Sequence, residues 1–353
     1  MRTSNGPVAI EGVSIGSLLG SSQAMERVRT FARRAAQVNV PVLILGETGT
    51  GKSLLGKVIH RESPRALGPF LAINCAGIPD SLFESEFFGH QRGAFTGARE
   101  GRKGLLEQAQ GGSLFLDEVG ELTVPQQAKL LMALEEGEVR RLGGEGTVRV
   151  DVRVLAATSL NLAQEMREGG FRRELYHRLA VLTCLIPPLR ARREDVSVLT
   201  RRLLRKHQQR HGCPPAPLSA EALRYLGAQS WPGNVRELSH LLEAALILSE
   251  GGVLEVEALR AADAMAGGGK AAGRDRSGGG DIDGGADPPT TGGPEPERAQ
   301  ETGRYAFRGN EDEEREEIRS ALTRVRGNKS RAARELGMAR NTLRQKIRKY
   351  GLG

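Results

Sequence analysis

The sequence predicts an α/β fold built on a parallel sheet, followed by a helical subdomain and a separate all-α tip. Short apolar runs alternate with helical patterns from about residue 20 to 190. The strand pattern then stops near Arg193, and residues 266–303 consist mainly of Gly, Pro and polar residues. Apolar strands separated by helices are typical of a parallel sheet covered on both faces.

Four apolar runs and two helical patterns define the α/β part. The runs rich in β-branched and other apolar residues are predicted strands, and the periodic segments between them are predicted helices. The strands are residues 41–45, 70–74, 113–117 and 152–158, and the helices include 52–61 and 126–136. Their alternation predicts strand–helix–strand units.

Only helical patterns occupy the region that follows Arg193. Three stretches, 194–210, 219–228 and 234–249, predict a small helical subdomain packed on the α/β unit. The segment LRARRED, residues 189–195, is interpreted as an exposed hinge between the two.

The Gly- and Pro-rich segment predicts a flexible tether. It contains one large aliphatic residue, Ile282, so it cannot bury enough apolar surface to offset its ordering entropy. The predicted organisation is a short N-terminal extension (1–14), an α/β subdomain (15–190), a helical subdomain (191–265), a flexible linker (266–305) and a C-terminal all-α domain (306–353).

The positive charge of the chain is concentrated at its C-terminal end. Residues 326–353 contain nine Lys or Arg residues and one Glu, a net charge of +8, so the remaining residues sum to zero. A neutral body with one basic tip favours a polyanionic partner, nucleic acid before membrane. The alternative is a solvated basic tail.

Cysteine usage and hydropathy point to the cytoplasm. Cys75, Cys184 and Cys213 are far apart, which argues against a disulfide framework or structural zinc. The six histidines are scattered and are interpreted as surface or packing residues. The sequence contains neither a signal-peptide layout nor an apolar run near ~18 residues, so we expect a soluble cytoplasmic protein without membrane contact.

The sequence GETGTGKS follows a predicted strand and precedes a predicted helix. Its glycines allow backbone N–H groups to wrap phosphates, Lys52 can reach the β- and γ-phosphates, and Ser53 can hold Mg²⁺. A chance glycine-rich turn is the alternative. The predicted nucleotide-binding residues here are Gly46, Glu47, Thr48, Gly49, Thr50, Gly51, Lys52 and Ser53.

Two acids, Asp117 and Glu118, end the strand of GGSLFLDE. An open α/β sheet binds ligands at this edge. Asp117 is predicted to bind Mg²⁺, and Glu118 to orient and polarise an attacking water. Two acids after a strand are weak evidence alone, but together with the preceding loop they predict an ATPase.

The stretch FGHQRGAFTGARE, residues 88–100, sets one large apolar side chain, Phe95, between glycines. The permissive backbone leaves few neighbours to pack the ring. Phe95 either folds back into a core or is held out to contact a partner.

The span from about Ile15 to Ala262 resembles the AAA+ domain of bacterial enhancer-binding proteins, the sigma-54-dependent transcription activators. The motifs GETGTGKS, FLAINCAGIPDSLFESEFFGHQRGAFTGA, GGSLFLDEVGEL, FRRELYHRL, IPPLRARREDV and WPGNVREL follow its pattern in order. The C-terminal GNKSRAARELGMARNTLRQKIRKYGL resembles the Fis-type helix-turn-helix of such activators.

The resemblance implies roles for four further residues at the nucleotide site. Asn74 would hold the catalytic Glu118 away from water, although a strand-end turn is its ordinary role. Arg172 and Arg178 would act as arginine fingers on the neighbouring subunit of a hexameric ring, surface arginines being the alternative. Arg236 would be the sensor arginine of the helical subdomain.

The resemblance also answers the question of Phe95 with an expectation. In this family the GAFTGA loop grips sigma-54 and changes its height with the nucleotide state. The predicted contact residues are Gly93, Ala94, Phe95, Thr96, Gly97 and Ala98.

Two positions depart from the family pattern. The residue after Lys52 is Ser53 where relatives usually have Glu, and P-loop proteins generally use Ser there, so we expect Mg²⁺ binding to be kept. The sensor strand ends in Thr158-Ser159 in place of Thr-Asn. Thr158 is kept as a nucleotide-site residue, and Ser159 predicts weaker sensing of the γ-phosphate because a hydroxyl donates one hydrogen bond and an amide two.

The basic tip has helix-turn-helix spacing, with helices predicted at 328–336 and 340–350 around Gly337. Leu343 and Ile347 share an apolar face in the second helix, opposite a polar face. The predicted DNA-binding residues, which combine base-edge and phosphate contacts, are Arg340, Asn341, Thr342, Arg344, Gln345, Lys346 and Arg348.

Together these features predict an ATP-dependent transcription activator. It would bind enhancer-like double-stranded DNA and remodel sigma-54 RNA polymerase holoenzyme from closed to open complex. A nucleotide-gated DNA-binding regulator that does not touch sigma-54 and a protein-remodelling chaperone are the alternatives. About 18 residues precede the AAA+ match, so regulation is expected from a separate protein, from expression or from assembly.

Overall fold

The structure is a computed structural model that describes the α/β region, the helices after it and part of the C-terminal tip. The described residues are 10, 12–95, 98, 100–214, 216–249, 252–266, 311–325, 332, 333, 335, 336, 338, 343, 346, 347 and 350–352. The chain forms two compact units, Met1–Ala272 and Gly273–Gly353.

The first unit contains one parallel sheet and two small hairpins. Its strands are Val42–Leu45 (β1), Phe70–Asn74 (β2), Gly89–His90 (β3), Arg102–Lys103 (β4), Ser113–Asp117 (β5), Glu138–Arg140 (β6), Thr147–Arg149 (β7), Arg153–Thr158 (β8) and Leu182–Leu185 (β9). The five-stranded sheet has the order β2-β5-β8-β1-β9 with every pairing parallel, whereas β3–β4 and β6–β7 are antiparallel pairs. The predicted fold class is confirmed.

Helices pack on both faces of the sheet and form the helical subdomain after it. They are Gln23–Ala36 (α1), Lys52–Arg61 (α2), Asp80–Phe88 (α3), Leu105–Gln108 (α4), Val124–Glu136 (α5), Leu162–Arg167 (α6), Arg173–Leu179 (α7), Asp195–His211 (α8), Ala220–Ala228 (α9), Asn234–Leu248 (α10), Val256–Ala266 (α11) and Glu311–Arg324 (α12). Within the described part of the chain, every helix is too short or too polar to cross a bilayer.

Successive side chains of β1 enter two different cores. Val42 and Ile44 pack with α1 and α2 on one face, and Leu43 packs with α3 and α5 on the other. All three are fully buried, which explains why this strand is an unbroken apolar run. A change such as Leu43→Ala would cost about 2–5 kcal/mol of stability.

Strand β9 was not predicted from the sequence. It lies at the edge of the sheet beside β1, and of its residues only Cys184 is buried, while Leu185 is 66% exposed. An edge strand of four residues with one buried side chain lacks the apolar run that identified the other four.

The helical subdomain has four helices, not the predicted three. α8 to α11 share one apolar core, to which α11 contributes Leu259 and Ala262. Val256, at the start of α11, is also buried. α11 escaped prediction because its apolar face consists largely of alanine, which provides weak periodic contrast. Trp231 anchors the turn before α10, since its Nε1 donates to Leu226 O at 3.0 Å.

The segment 189–195, predicted as an exposed hinge, is exposed at four of its seven residues and buried at the other three. Leu189, Arg192 and Asp195 are buried. Asp195 accepts hydrogen bonds from the Ser21 N–H, the Ser22 N–H and the Ser22 hydroxyl, all at 2.7 Å. A buried carboxylate is tolerated only when it is paired in this way, and charge-rich sequence alone does not reveal the pairing.

The second unit is a small helical cluster. α12 contributes Ile318 and Ala321 to a core that also contains Leu336, Leu343 and Ile347. The predicted linker and most of the two predicted tip helices lie outside the described residues.

Candidate functional site

The loop after β1 forms a cradle of backbone N–H groups. Gly46, Gly49 and Gly51 have φ angles of 155°, 82° and 108°, values that glycine adopts without a steric penalty. α2 begins at Lys52 directly after the loop, so its unpaired N–H groups face the same space. The Lys52 side chain is buried, and its Nζ donates to Gly46 O at 3.0 Å.

The two predicted acids lie at the carboxyl end of β5, beside this cradle. Ser53 Oγ donates to Asp117 Oδ2 at 3.0 Å, and Lys52 Nζ lies 3.2 Å from Glu118 Oε1. Glu118 has a φ of 52°, a left-handed conformation that costs a residue with a side chain roughly 1–2 kcal/mol. Such strain persists where neighbouring contacts fix the residue, and here they direct its carboxylate into the site.

In this structure Glu118 is contacted by Ser159 as well as by Lys52, whereas Asn74, which the resemblance implies as its partner, makes a different hydrogen bond. Both the N–H and the hydroxyl of Ser159 donate to Glu118 Oε2 at 2.9 Å. Asn74 lies in register with Asp117 on the neighbouring strand, but its Oδ1 accepts from the Ala76 N–H at 3.0 Å. The carboxylate is therefore held between Lys52 and the end of β8.

Helix α10 closes one side of the cradle. The Val235 N–H donates to Gly49 O at 3.0 Å, and the side-chain amide of Asn234 donates to Thr48 O at 3.0 Å and to Glu47 at 3.2 Å. A Cβ on Gly49 would lie 2.2 Å from the Gly233 carbonyl oxygen. Only glycine therefore permits this contact between the loop and the helical subdomain.

Glu47 faces the helical subdomain and not the phosphate cradle. Its carboxylate accepts two hydrogen bonds from the Arg190 guanidinium, at 2.5 and 2.7 Å. The hydrogen bonds from Arg190 lower the pKa of the Glu47 carboxyl, with a smaller contribution from Asn234. Neither Arg190 nor Asn234 was among the predicted site residues.

Two adjoining cavities lie along the cradle. One of about 530 Å³ is lined by Lys52, Asn74, Glu118, Ser159 and Arg236 among others. It includes the predicted Arg236 and brings it to the same space as the acids. The loop residues Thr48, Gly49, Gly51 and Ser53 also line it.

The second cavity, of about 700 Å³, is mainly apolar and was missed by the sequence analysis. It shares Gly51, Leu54 and Val235 with the first and is lined further by Leu18 and Ile186. Its walls come from the N-terminal segment, the edge of the sheet and α8. Such a cavity has no sequence motif because its residues are far apart in the chain.

The two predicted arginine fingers lie on or beside α7, away from these cavities. Arg172 precedes the helix and Arg178 lies within it, and both are exposed. Neither is among the described residues that line the 530 Å³ cavity. The Arg178 guanidinium donates to Leu134 O.

The segment that contains Phe95 is the tip of the β3–β4 hairpin. The Gly93 N–H donates to Ala98 O at 2.8 Å, which closes the tip. The β6–β7 hairpin lies alongside, because the Gln91 N–H donates to Leu142 O at 2.9 Å. A Cβ on Gly143 would lie 2.9 Å from the Ala94 Cβ, so the two hairpins are in close contact.

Phe95 does not enter either core of the α/β unit. Its side chain is 45% exposed, and one edge rests against the His90 ring with centroids 5.1 Å apart. Ala98 is buried, whereas Thr96 and Gly97 lie outside the described residues. The aromatic ring thus presents apolar surface to solvent at a hairpin tip.

The basic tip is described only in part. Of the predicted DNA-binding residues, Lys346 is described, and its Nζ donates to both carboxylate oxygens of Glu314 at 2.7 and 2.8 Å. The others, Arg340, Asn341, Thr342, Arg344, Gln345 and Arg348, lie outside the described residues. Lys346 therefore ties the tip to α12.

A glycine cradle, an acid pair at a strand end and a helical lid on the cradle define a P-loop nucleotide-binding domain of the AAA+ class. The sequence matches three family descriptions: "Sigma-54 interaction domain" over residues 18–184, "AAA+ ATPase lid domain" over 190–273 and "Bacterial regulatory protein, Fis family" over 310–350.

Relatives match nearly the whole chain. The response regulator protein PilR of Pseudomonas aeruginosa is 40% identical over 346 residues, which cover 98% of this chain and 72% of PilR. The regulatory protein AtoC of Escherichia coli is 38% identical over 342 residues, which cover 96% of this chain and 68% of AtoC. The chain therefore belongs to the bacterial regulators that join a sigma-54 interaction AAA+ domain to a Fis-type helix-turn-helix, as the resemblance implied.

Other similar proteins cover the chain less evenly. The Nif-specific regulatory protein of Klebsiella pneumoniae is 47% identical over 248 residues, which cover 70% of this chain and 47% of that protein. The chain thus spans about half the length of the Nif-specific relatives it matches. The crystal structure of NtrX from Brucella abortus in complex with ATP has a TM-score of 0.64 at 31% identity and covers 95% of this chain and 69% of NtrX.

Proposed function

We propose that this protein is an ATP-driven transcription activator that acts on sigma-54 RNA polymerase holoenzyme. The observation that carries the proposal is the position of Glu118. It lies at a strand end, in a strained conformation, within reach of Lys52 and at the wall of a cavity that the phosphate cradle also lines. Strain at a site of this kind is typical of catalytic residues.

ATP is the nucleotide that the two cavities favour. The cradle with Lys52 suits the triphosphate, and the apolar cavity beside it suits an adenine base. NtrX, which is similar over most of the chain, was solved with ATP bound. Ser53 Oγ and Asp117 Oδ2, 3.0 Å apart, are the hard oxygen donors that Mg²⁺ prefers. When bound there, Mg²⁺ would neutralise charge on the phosphates.

During hydrolysis, Glu118 would orient the attacking water. The Glu118 carboxylate can accept a hydrogen bond from the attacking water only if it is held in one position. Two hydrogen bonds from Ser159 hold it there. Lys52, which donates to Gly46 O in this structure, would turn to the β- and γ-phosphates. Asn74, which lines the same cavity, remains available as a second partner for Glu118.

Complete sites require a second subunit under this proposal. Arg172 and Arg178 are exposed and do not line the cavity of their own chain among the described residues, so they would serve the neighbour's site in a ring, for which we propose a hexamer. Arginine fingers contribute about 10³–10⁵ in rate where they have been measured. Assembly would therefore control hydrolysis.

The hairpin tip would transmit the work of hydrolysis to sigma-54. Phe95 offers an exposed aromatic surface at the tip, and residues Gly93–Ala98 would contact sigma-54 together. The Fis-type segment would bind enhancer-like DNA, with the basic residues of the tip on phosphates and bases. Promoter DNA and polymerase are cytoplasmic, so we propose that location for this protein.

Open-complex formation on a sigma-54 promoter tests the proposal. Native protein with ATP should yield open complexes, and Phe95→Ala or Thr96→Ala should hydrolyse ATP without yielding them. Leu67→Ala is the matched control, because Leu67 is a 99% exposed apolar residue elsewhere on the surface. ATP hydrolysis by native protein without any open complex would refute sigma-54 as the partner and favour the alternative, a nucleotide-gated DNA-binding regulator.

A further inference from the structure

Two histidines and a glutamate meet where α8 packs on α10. His207 and His211 are one helical turn apart on α8, and Glu243 faces them from α10. His211 Nε2 lies 2.7 Å from Glu243 Oε1, and His207 Nδ1 lies 3.5 Å from the same oxygen. One potential ligand atom from each residue lies within 4.8 Å of the other two. The histidines interpreted from the sequence as scattered surface or packing residues thus include two that share one cluster.

The His207 imidazole adds an independent observation. The side chain is 5% exposed, and its Nε2 lies 3.0 Å from Ser239 Oγ. Its Nδ1 is buried and has no hydrogen-bond partner among the described residues. If Nε2 carries the proton that Ser239 accepts, the Nδ1 lone pair points toward the Glu243 carboxylate. Two electron-rich groups that face each other in this way attract a cation between them.

The surroundings favour the ligand forms of two of these side chains, those of His207 and Glu243. Burial lowers the pKa of His207, which keeps the imidazole neutral, and the contributions of Lys206, His211 and Arg210 act in the same direction, against that of Glu243. The hydrogen bond from His211 lowers the pKa of the Glu243 carboxyl and keeps it ionised. The His211 Nε2 proton that makes this bond would be released when a metal ion takes that nitrogen. Metal ions bind neutral imidazole and ionised carboxylate.

We propose that His207 Nδ1, His211 Nε2 and the Glu243 carboxylate form a binding site for a transition-metal dication, with Zn²⁺ as the first candidate. Two imidazoles and a carboxylate are a ligand set that zinc accepts, and they leave a fourth position for water. Tetrahedral zinc with bonds near 2.0 Å needs ligand atoms about 3.3 Å apart. The two measured separations, 2.7 and 3.5 Å, lie on either side of that value.

The neighbouring residues suit such a site. Ser239 Oγ lies 3.0 Å from the far nitrogen of His207, and with that nitrogen protonated it would accept an outer hydrogen bond of the kind that orients metal-binding imidazoles. Arg210 is the one competitor seen among the described residues, with its guanidinium 3.3 Å from Glu243 Oε1. Its side chain is 67% exposed, so it can turn to solvent when a cation takes its place.

A metal ion here would join α8 to α10 close to the nucleotide site. Ser239 and Arg236 lie on the same turn of α10 and both line the 530 Å³ cavity. Metal binding would thus restrict the movement of the helix that carries Arg236. This regulatory consequence depends on the proposed ATPase function, whereas metal binding itself does not.

Zinc binding by the full-length chain, free of any histidine tag and of nucleotide, is the direct test. After chelator treatment and its removal, we expect one Zn²⁺ per chain by calorimetry and the visible absorption of tetrahedral Co²⁺ when Co²⁺ replaces it. His211→Ala and Glu243→Gln should each weaken binding at least ~10-fold. His240→Ala, an exposed histidine on the same helix, and Cys213→Ser should bind as the native chain does.

The result that overturns the site is equally defined. No zinc above background, or a Zn²⁺ that survives His211→Ala and Glu243→Gln in chains whose circular dichroism and urea midpoints are native, refutes it. Loss with Cys213→Ser alone would assign the metal to the thiol and also refute it.

If zinc binds at the proposed site, it should change the ATPase rate of the native chain and not that of Glu243→Gln. An ATPase that ignores bound zinc refutes the regulatory step, and absence of any ATPase refutes the proposed function while leaving metal binding intact.

Discussion

Removal of the Ser159 hydroxyl should slow ATP hydrolysis without weakening ATP binding. Ser159→Ala deletes the hydroxyl bond to Glu118 Oε2 at 2.9 Å and keeps the backbone bond at the same distance. A hydrogen bond to a charged group contributes about 1.5–3 kcal/mol. Ser159 is exposed, so water competes for the bond and the lower value applies. At about 1.4 kcal/mol for each factor of ten, the expected loss in kcat is roughly tenfold.

The affinity for ATP should be nearly unchanged, because Ser159 makes no hydrogen bond to the cradle among the described residues. The measurement is steady-state hydrolysis at a protein concentration that saturates assembly, together with direct binding of a fluorescent ATP analogue. Ser159→Thr keeps the hydroxyl on an exposed residue with room for a methyl group, and it should retain most of the native kcat.

Three results would contradict this reasoning. A kcat for Ser159→Ala within twofold of native would mean that the hydroxyl does not position Glu118. A rise in KM that accounts for the whole loss would mean that Ser159 acts on substrate binding. Equal losses in Ser159→Ala and Ser159→Thr would point to packing at the end of β8 and not to the hydrogen bond.

Three further predictions concern the cradle and the core. Arg190→Ala removes both bonds to Glu47 (side chains 47% and 41% exposed), so we expect a stability loss below about 1 kcal/mol but faster amide exchange in the first turn of α10. Gly49→Ala places a Cβ 2.2 Å from Gly233 O, and calorimetry should find ATP affinity reduced at least ~10-fold because the lid no longer docks. Burial lowers the pKa of His60 from 6.5 to about 4, so the unfolded chain binds the extra proton and stability falls as pH drops from 6.5 toward 4. That loss reaches about 3 kcal/mol, and urea unfolding of His60→Leu should lack this part of the pH dependence.

The cradle and the acid pair could be predicted because each is a contiguous motif. Backbone conformation at Gly46, Gly49 and Gly51 follows from the residue type, and the strand before Asp117 places it at the sheet edge. The contacts of Glu47 could not be predicted in this way. Its partners Arg190 and Asn234 are 143 and 187 residues away in the chain, and no local pattern links them.

The predicted contact between Asn74 and Glu118 is not formed in this structure, for a different physical reason. Asn74 ends a strand, and a backbone N–H two residues later, that of Ala76, is available to its side chain. Asn forms such local hydrogen bonds readily, and they compete with any distant acid. Ser159 follows β8 directly, and both its N–H and its hydroxyl donate to Glu118. The position of each residue relative to Glu118, and not the number of hydrogen bonds that its side chain can donate, determined which residue contacts Glu118.

The contacts of the cradle also predict that the lid responds to the nucleotide. The carbonyl groups of Thr48, Gly49 and Thr50 are bonded by Asn234, Val235 and Arg192, all from the lid side of the chain. A buried carbonyl that loses its partner costs about 1–3 kcal/mol. Any shift of the loop that phosphate contacts impose therefore either moves the start of α10 with it or breaks several such bonds at once. Because Arg236 is the next residue after Val235, the first outcome would carry Arg236, for which we propose the sensor role, along with the loop.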